Sequence, residues 1–224
     1  MPSASEPVFS PITCQGFKLR KALGIFVAEM FMLASIPEVE ATRDFFIQDP
    51  LTCARALIGA HLHWDGCTAR IVETEAYTTV DDPAFHLWNR PSVRAYLASH
   101  EAGDAYVYLN YGIRWLFNIF VKGREVSGFV LLRAIEPING IVEMRSRRPG
   151  VADRMLGAGP GRLTRALGID GRDHGCRFLE TEGRGITLHE PLEPAVGVRI
   201  GISKAVDFPW RFGDRASLSL SRRF

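Results

Sequence analysis

The feature that most constrains this chain is a series of short β-rich runs joined by two-residue turns. Ala60 to Trp64 and Cys67 to Tyr77 flank Asp65-Gly66, a pair that readily takes positive φ at both central positions of a tight hairpin. Ala105 to Asn110 and Ile113 to Val121 flank Tyr111-Gly112 in the same way, and Val126 to Ile135 is a further strand. Short strands are expected between residues 183 and 206. The helices are few. Asp49 and Pro50 supply an N-cap and a first-turn proline for a helix over Leu51 to Leu57. Gly140 to Arg148 is helical, and Gly161 to Leu167 follows a Gly-Pro turn. Hairpin-linked strands without a βαβ alternation predict an α+β fold: a single domain on a curved, mainly antiparallel sheet with flanking helices and a protruding β-hairpin.

The 224 residues suit one domain with room for a terminal segment, and a chain of this length buries enough surface to need no disulfide or metal. Residues 1–40 read as an N-terminal extension and 41–224 as the main domain. The apolar run Gly24 to Ile36 is shorter than the ~18 residues of a membrane span, and Glu29 breaks it. It reads as an accessory helix, or as sequence upstream of a true start at Met30 or Met32. The cysteines Cys14, Cys53, Cys67 and Cys176 lack metal-ligand spacing and read as reduced thiols. His61 and His63 have no further ligand at useful spacing, so no metal is expected. Only Lys18, Lys21, Lys122 and Lys204 are lysines among 27 basic residues. The arginine excess suits phosphate contacts, and a GC-rich genome would give the same bias.

Four segments carry candidate chemistry. Along a strand, Glu73, Glu75 and Tyr77 share one face, which is either solvated or a site. The turn Asp81 to His86 can return His86 over Tyr77 to make a slot between two rings. Tyr111 projects from a hairpin tip, either packed on its own hairpin or acting as a wedge between base steps. Arg133, within the apolar strand Val130 to Ile135, needs an anion. That anion is a structural partner or Glu75, and in the second case the pairing is expected to lower the carboxyl pKa and keep it ionised. Gly157 to Thr164 is a Gly-rich turn opening a helix, a weak phosphate-binding pattern.

Taken in order, the stretches Arg70–Tyr77 (RIVETEAY), Asp81–His86 (DDPAFH), Ala105–Gly112 (AYVYLNYG), Asn118, Val130–Pro137 (VLLRAIEP), Leu156–Ile169 (LGAGPGRLTRALGI) and Arg199–Phe212 (RIGISKA…PWRF) resemble the alkyladenine (3-methyladenine) DNA glycosylase family. The resemblance spans roughly residues 44 to 212. It implies a monofunctional enzyme that flips alkylated or deaminated purines from duplex DNA and hydrolyses the N-glycosidic bond with a carboxylate-activated water. Glu75 is then the general base and Arg133 helps to hold the water. Tyr77, His86, Tyr108 and Asn118 form the base pocket, and Tyr111 fills the gap left in the duplex. Arg90, Arg94, Gly159 and Arg162 are the expected DNA-backbone contacts. The family implies no cofactor and no metal, double-stranded DNA as partner, no membrane, a monomer, and a cytoplasmic or nucleoid location (nuclear in a eukaryote).

One stretch departs from the pattern. Where relatives carry Gly-Arg-x-Thr-Pro-Arg-Asn after the histidine, this chain reads Leu87-Trp88-Asn89-Arg90-Pro91-Ser92-Val93-Arg94, which predicts altered contacts at the pocket rim. Three rival readings are a lesion-binding member with little catalysis, an RNA-binding or RNA-modifying domain on a similar sheet, and a helix-hairpin-helix glycosylase. Retention of Glu75 and Arg133 counts against the first. A single-stranded substrate would not need a tyrosine wedge, so dependence of activity on Tyr111 in duplex DNA separates the second. The β-rich middle counts against the third.

Overall fold

A computed structural model describes residues 39–85 and 90–224. The expectations for residues 1–38, and those for His86, Leu87, Trp88 and Asn89, lie outside the described residues. One compact unit runs from Glu38 to Phe224. Its first described residues, Val39–Glu40, form a strand, β1.

The other strands are β2 (His61–Trp64), β3 (Cys67–Thr78), β4 (Ala105–Asn110), β5 (Arg114–Lys122), β6 (Ser127–Asn139), β7 (Arg184–Leu188), β8 (Ala195–Gly197) and β9 (Arg211–Gly213). They form one nine-stranded sheet in the order β1-β7-β2-β3-β6-β5-β4, with β9 pairing both β3 and β8. Every pairing is antiparallel, and with the helices it makes the α+β architecture read from the turns. Asp65 and Gly66 sit at φ 47° and 83°, and Tyr111 and Gly112 at 49° and 71°, so both tight hairpins turn through positive φ, which the glycines take freely and Tyr111 does not.

The helices are α1 (Pro50–Ala56), α2 (Pro91–Ser99), α3 (Ile141–Arg147) and α4 (Pro160–Leu167). The Asp49 carboxylate caps α1 by accepting from the Leu51 and Thr52 N–H groups. Among the described residues no helix is long and apolar enough to cross a membrane, and no three His, Cys, Asp or Glu side chains gather as a metal site.

The sheet separates two apolar layers. Ala105, Val107, Phe117, Ile119, Val121, Val130 and Leu132 face the larger core, which holds Leu57 and Leu163. The alternate residues Tyr106, Phe120 and Phe129 face a smaller cluster with Phe85, Val93 and Tyr96, against which Tyr77, Leu97 and Tyr108 pack. Helix α2 builds that second layer. The sequence reading treated its segment only as a rim, yet Val93, Tyr96 and Leu97 have the i, i+3, i+4 spacing of an apolar helix face. Tyr96 stacks on His100 at 3.9 Å, meets Tyr106 edge-on at 4.8 Å, and donates its hydroxyl to the Ala105 carbonyl at 2.9 Å. Tyr96→Ala should therefore cost about 3–5 kcal/mol in a denaturant titration, in the range for deleting a buried aromatic ring. Tyr96→Phe should cost about 1 kcal/mol. Equal, small losses would show that α2 is not part of the core.

Candidate active site

Strand β3 changes which face its side chains present. Before Val72, the odd residues Cys67, Ala69 and Ile71 point into the larger core; after it, Ala76 does, and the Thr74 hydroxyl reaches the Ala54 carbonyl of α1. The pairing explains the switch. Ile71 pairs with Ile135, Glu73 with Ala134, and Thr74 with Leu132, leaving Val72 on β3 and Arg133 on β6 each as one extra residue. Such bulges re-aim side chains. Here they turn Glu73, Glu75 and Tyr77 away from the larger core and deliver Arg133 to the same face.

The result is a buried, formally neutral quartet of two carboxylates and two guanidinium groups. Glu73 and Glu75 are fully buried, and Arg133 and Arg211 are 7% and 5% exposed. Arg133 is divided between the acids. Its Nε lies 3.3 Å from Glu73 Oε1 and its Nη1 lies 3.3 Å from Glu75 Oε2. Glu73 also accepts from Arg211 Nη1 at 2.9 Å, from the Ser221 hydroxyl at 2.8 Å and from the Ser221 N–H at 2.6 Å. Glu75 accepts from the Tyr77 hydroxyl at 2.8 Å and from the Ile200 N–H at 2.7 Å.

Burial pushes the Glu75 carboxyl above the usual carboxylate range. Arg133, the Ile200 N–H and Tyr77 pull it down, and Glu73 pushes it up. The expected lowering by Arg133 is real but is outweighed by desolvation, because the ionised form has lost its water. A carboxyl tuned upward and still held by three donors accepts a proton more readily than an ordinary glutamate.

Hydrogen-bonded register places the pocket candidates beside this acid. Glu75, Leu131, Asn118 and Tyr106 form one row across β3, β6, β5 and β4. Tyr108 lies two residues on from Tyr106, on the same face. Asn118 is buried and donates its side-chain N–H to the Tyr106 carbonyl at 3.1 Å. Burial, with Tyr106 and Glu75 nearby, raises the Tyr108 hydroxyl to about 12. Burial and Glu75 raise Tyr77 also. The Arg199 guanidinium lies over the Tyr77 ring, 4.6 Å from its centroid, and forms a fully buried two-pronged pair with Asp82 at 2.6 and 2.7 Å. Asp82 in turn accepts from the Ala84 N–H, so the turn expected after Tyr77 exists as far as Phe85. Tyr77, Tyr108, Asn118, Glu75 and Arg133 are thus brought together on one face.

The remaining candidates surround that face. Tyr111 is 87% exposed at the tip, with Ile113 at 77% and Leu109 at 43%. A bulky residue at φ 49° carries about 1 kcal/mol or more of strain, which no packing of its own ring repays. Arg90 is exposed at the start of α2, close enough to draw down the pKa values of Tyr106 and Tyr108. Arg94 is exposed on α2. Gly159 is buried and its N–H donates to the Gly157 carbonyl, so that amide is not open. Arg162 is exposed, with Nη1 on the Ala158 carbonyl.

Sequence reasoning missed Arg211, Ser221, Ile200 and the Arg199–Asp82 pair. Arg211 carried the same signal as Arg133, a charge beside Trp210 and Phe212. It also gave Glu73 no role beside Glu75, whereas Glu73 accepts from Arg133, Arg211 and Ser221.

The chain was also compared with known proteins. The family model described as Methylpurine-DNA glycosylase (MPG) matches residues 44–217. Relatives named "Putative 3-methyladenine DNA glycosylase" occur in several bacteria. The one from Nitrosospira multiformis is 43% identical, covering 80% of this chain and 92% of the relative. Those from Bradyrhizobium diazoefficiens and Agrobacterium fabrum are each 42% identical, covering 81% and 83% of this chain and 90% and 94% of the relative.

The geometry makes Glu73 costly to change. Glu73→Gln takes the carboxylate from Arg211 and leaves Arg133 with Glu75 alone, and breaking a buried ion pair from one side costs about 3–5 kcal/mol. Chemical denaturation should show that loss. A loss below about 1 kcal/mol would mean that the quartet is not held through Glu73.

Proposed function

Because the chain belongs to the methylpurine-DNA glycosylase family, we propose that it removes alkylated or deaminated purines, 3-methyladenine among them, from duplex DNA by hydrolysis. The observation that carries this reading is the buried Glu75 carboxylate, braced by Arg133, the Ile200 N–H and Tyr77 on a face shared with Tyr108 and Asn118.

In this mechanism the damaged nucleotide leaves the stack, at lower cost than an intact pair, and its base lies against Tyr77 on the ring face opposite Arg199. The family resemblance gives His86 as the second ring of the slot. Tyr108 packs against the base, Asn118 tests its exocyclic edge, and Tyr111 occupies the vacated stack. A cationic alkylpurine gains cation–π attraction of about 0.5–2 kcal/mol from these rings. The C1′–N bond breaks with its electron pair going to the purine, so a cationic base departs neutral. The sugar becomes oxocarbenium-like, and the Glu75 carboxylate stabilises it. Water adds to C1′ and gives its proton to Glu75, leaving an abasic sugar. Arg133 helps to hold the water. Arg90, Arg94 and Arg162 engage backbone phosphates. The enzyme acts as a monomer, without cofactor and without a covalent adduct, in the compartment that holds DNA.

Glu75→Gln tests this directly, since the amide keeps the shape and loses the basicity. Base release from a 3-methyladenine duplex under single-turnover conditions should fall at least ~100-fold, while binding to lesion DNA persists. Release at close to the wild-type rate would remove Glu75 from the mechanism.

A further inference from the structure

Residues 211–224 fold back onto the carboxylate quartet. Arg211 reaches Glu73, and its Nη1 and Nη2 also hold the Arg222 and Arg223 carbonyls at 2.9 and 3.4 Å. The Arg211 guanidinium lies 3.8 Å from the centroid of the Phe224 ring. That ring rests on two glycines: a Cβ on Gly213 would come within 2.4 Å of it, and one on Gly197 within 3.1 Å. Fixed in this way, Ser221 places its hydroxyl 2.8 Å from Glu73 Oε1 and its N–H 2.6 Å from Glu73 Oε2. Its oxygen also lies 3.4 Å from Arg133 Nη2.

We propose that Ser221 is a positioning residue for base release: by donating to Glu73, it sets how Arg133 is divided between Glu73 and Glu75. This rests on the reading of Glu75 as the general base. The argument is one of competition. Glu73 Oε1 takes three donors, from Ser221, Arg211 and the more distant Arg133 Nε. With two short donors already satisfying that oxygen, Arg133 is left to offer Nη1 to Glu75. Without the serine hydroxyl, Glu73 draws Arg133 toward itself, and Glu75 loses the charge that most favours its ionised form.

Among the described residues, the charged and titratable groups near Glu75 are Glu73 and Tyr77 on β3, Arg133 on β6, Tyr108 on β4, Arg211 as its cross-strand partner on β9, and Arg199 beside Tyr77 on the loop that also supplies the Ile200 N–H. Of these, only Arg133 is shared with Glu73 and also contacts Ser221. The sign follows. Weakening the Arg133–Glu75 contact raises the Glu75 pKa further, so the base is protonated at a higher pH and the acid limb of the rate profile moves upward.

The test is single-turnover release of a permanently cationic lesion, 3-methyladenine in duplex DNA, measured across pH for the full chain and for Ser221→Ala, Ser221→Thr and Arg211→Lys. Ser221→Ala should lower the plateau rate about tenfold, as for one lost hydrogen bond to a charged group, and move the acid limb up by about half a unit or more. Lesion-duplex affinity should stay unchanged. Ser221→Thr keeps the hydroxyl and should restore the wild-type profile. Arg211→Lys thins the donors on the same oxygen and should move the limb in the same direction, which keeps the test open if Ser221→Ala folds poorly. An acid limb that stays in place in both Ser221→Ala and Arg211→Lys, whatever their melting temperatures, makes the segment a structural clamp and overturns the proposal. Glu75→Gln in the same assay separates the two claims: if it releases base at the wild-type rate, the reading of Glu75 fails and this proposal falls with it.

Discussion

The structure depends on the division of one guanidinium between two buried carboxylates. Arg133 touches Glu73 and Glu75 at equal distance, and it does so because it is itself the extra residue of a bulge on β6, one step along from the Val72 bulge on β3. Without these two insertions the alternation of β3 would carry Glu73, Glu75 and Tyr77 into the larger core, where unpaired acids are intolerable. The bulges thus convert an ordinary central strand pair into a sheet with an apolar face on one side and an ionised face on the other. Four opposed charges make that face tolerable to bury. They also make it brittle, because removing any one of them strands its partners.

From that constraint the layout of the site follows. Antiparallel register lines up Glu75, Leu131, Asn118 and Tyr106 in one row. The acid, the amide and the tyrosines are therefore held by backbone ladders, which is the rigidity that a positioned base requires. Helix α2 packs on the Tyr106 end of the row through Val93 and Tyr96. The hairpin continues the same two strands, β4 and β5, outward to Tyr111. One pair of strands thus carries both the pocket wall and the exposed tip, so an object gripped by the tip is registered against the pocket.

Much of this was legible because it is written locally. The Asp65-Gly66 and Tyr111-Gly112 turns, the Asp49 cap and the strand alternation each depend on a few adjacent residues, and each was found where expected. The parity switch in β3 was hidden because Thr74, a polar residue, is the first to face the larger core after the bulge. The role of Glu73 was hidden for a different reason: its partners Arg211 and Ser221 lie 138 and 148 positions away, and alternation alone cannot distinguish a solvated acid from a buried one. Helix α2 was passed over because its departure from the family pattern at Arg90-Pro91 drew attention to lost contacts, while the spacing of Val93, Tyr96 and Leu97 carried the helix signal. The pKa of Glu75 was read with the right partner and the wrong balance, since a sequence gives charges but not the depth at which they are buried.

The central claim is that a desolvated carboxylate at position 75 takes up the proton during base release. The most direct measurement is the pH dependence of single-turnover release in the unmodified protein, using a lesion that stays cationic across the range so that the leaving base does not titrate. Burial places the Glu75 carboxyl above its ordinary value of 4.5, and the base works only when ionised. The rate should therefore begin to fall, as pH is lowered, at a higher pH than an ordinary glutamate would give, and should fall about tenfold per unit below the limb. A rate that stays level down through the ordinary glutamate range would contradict the account.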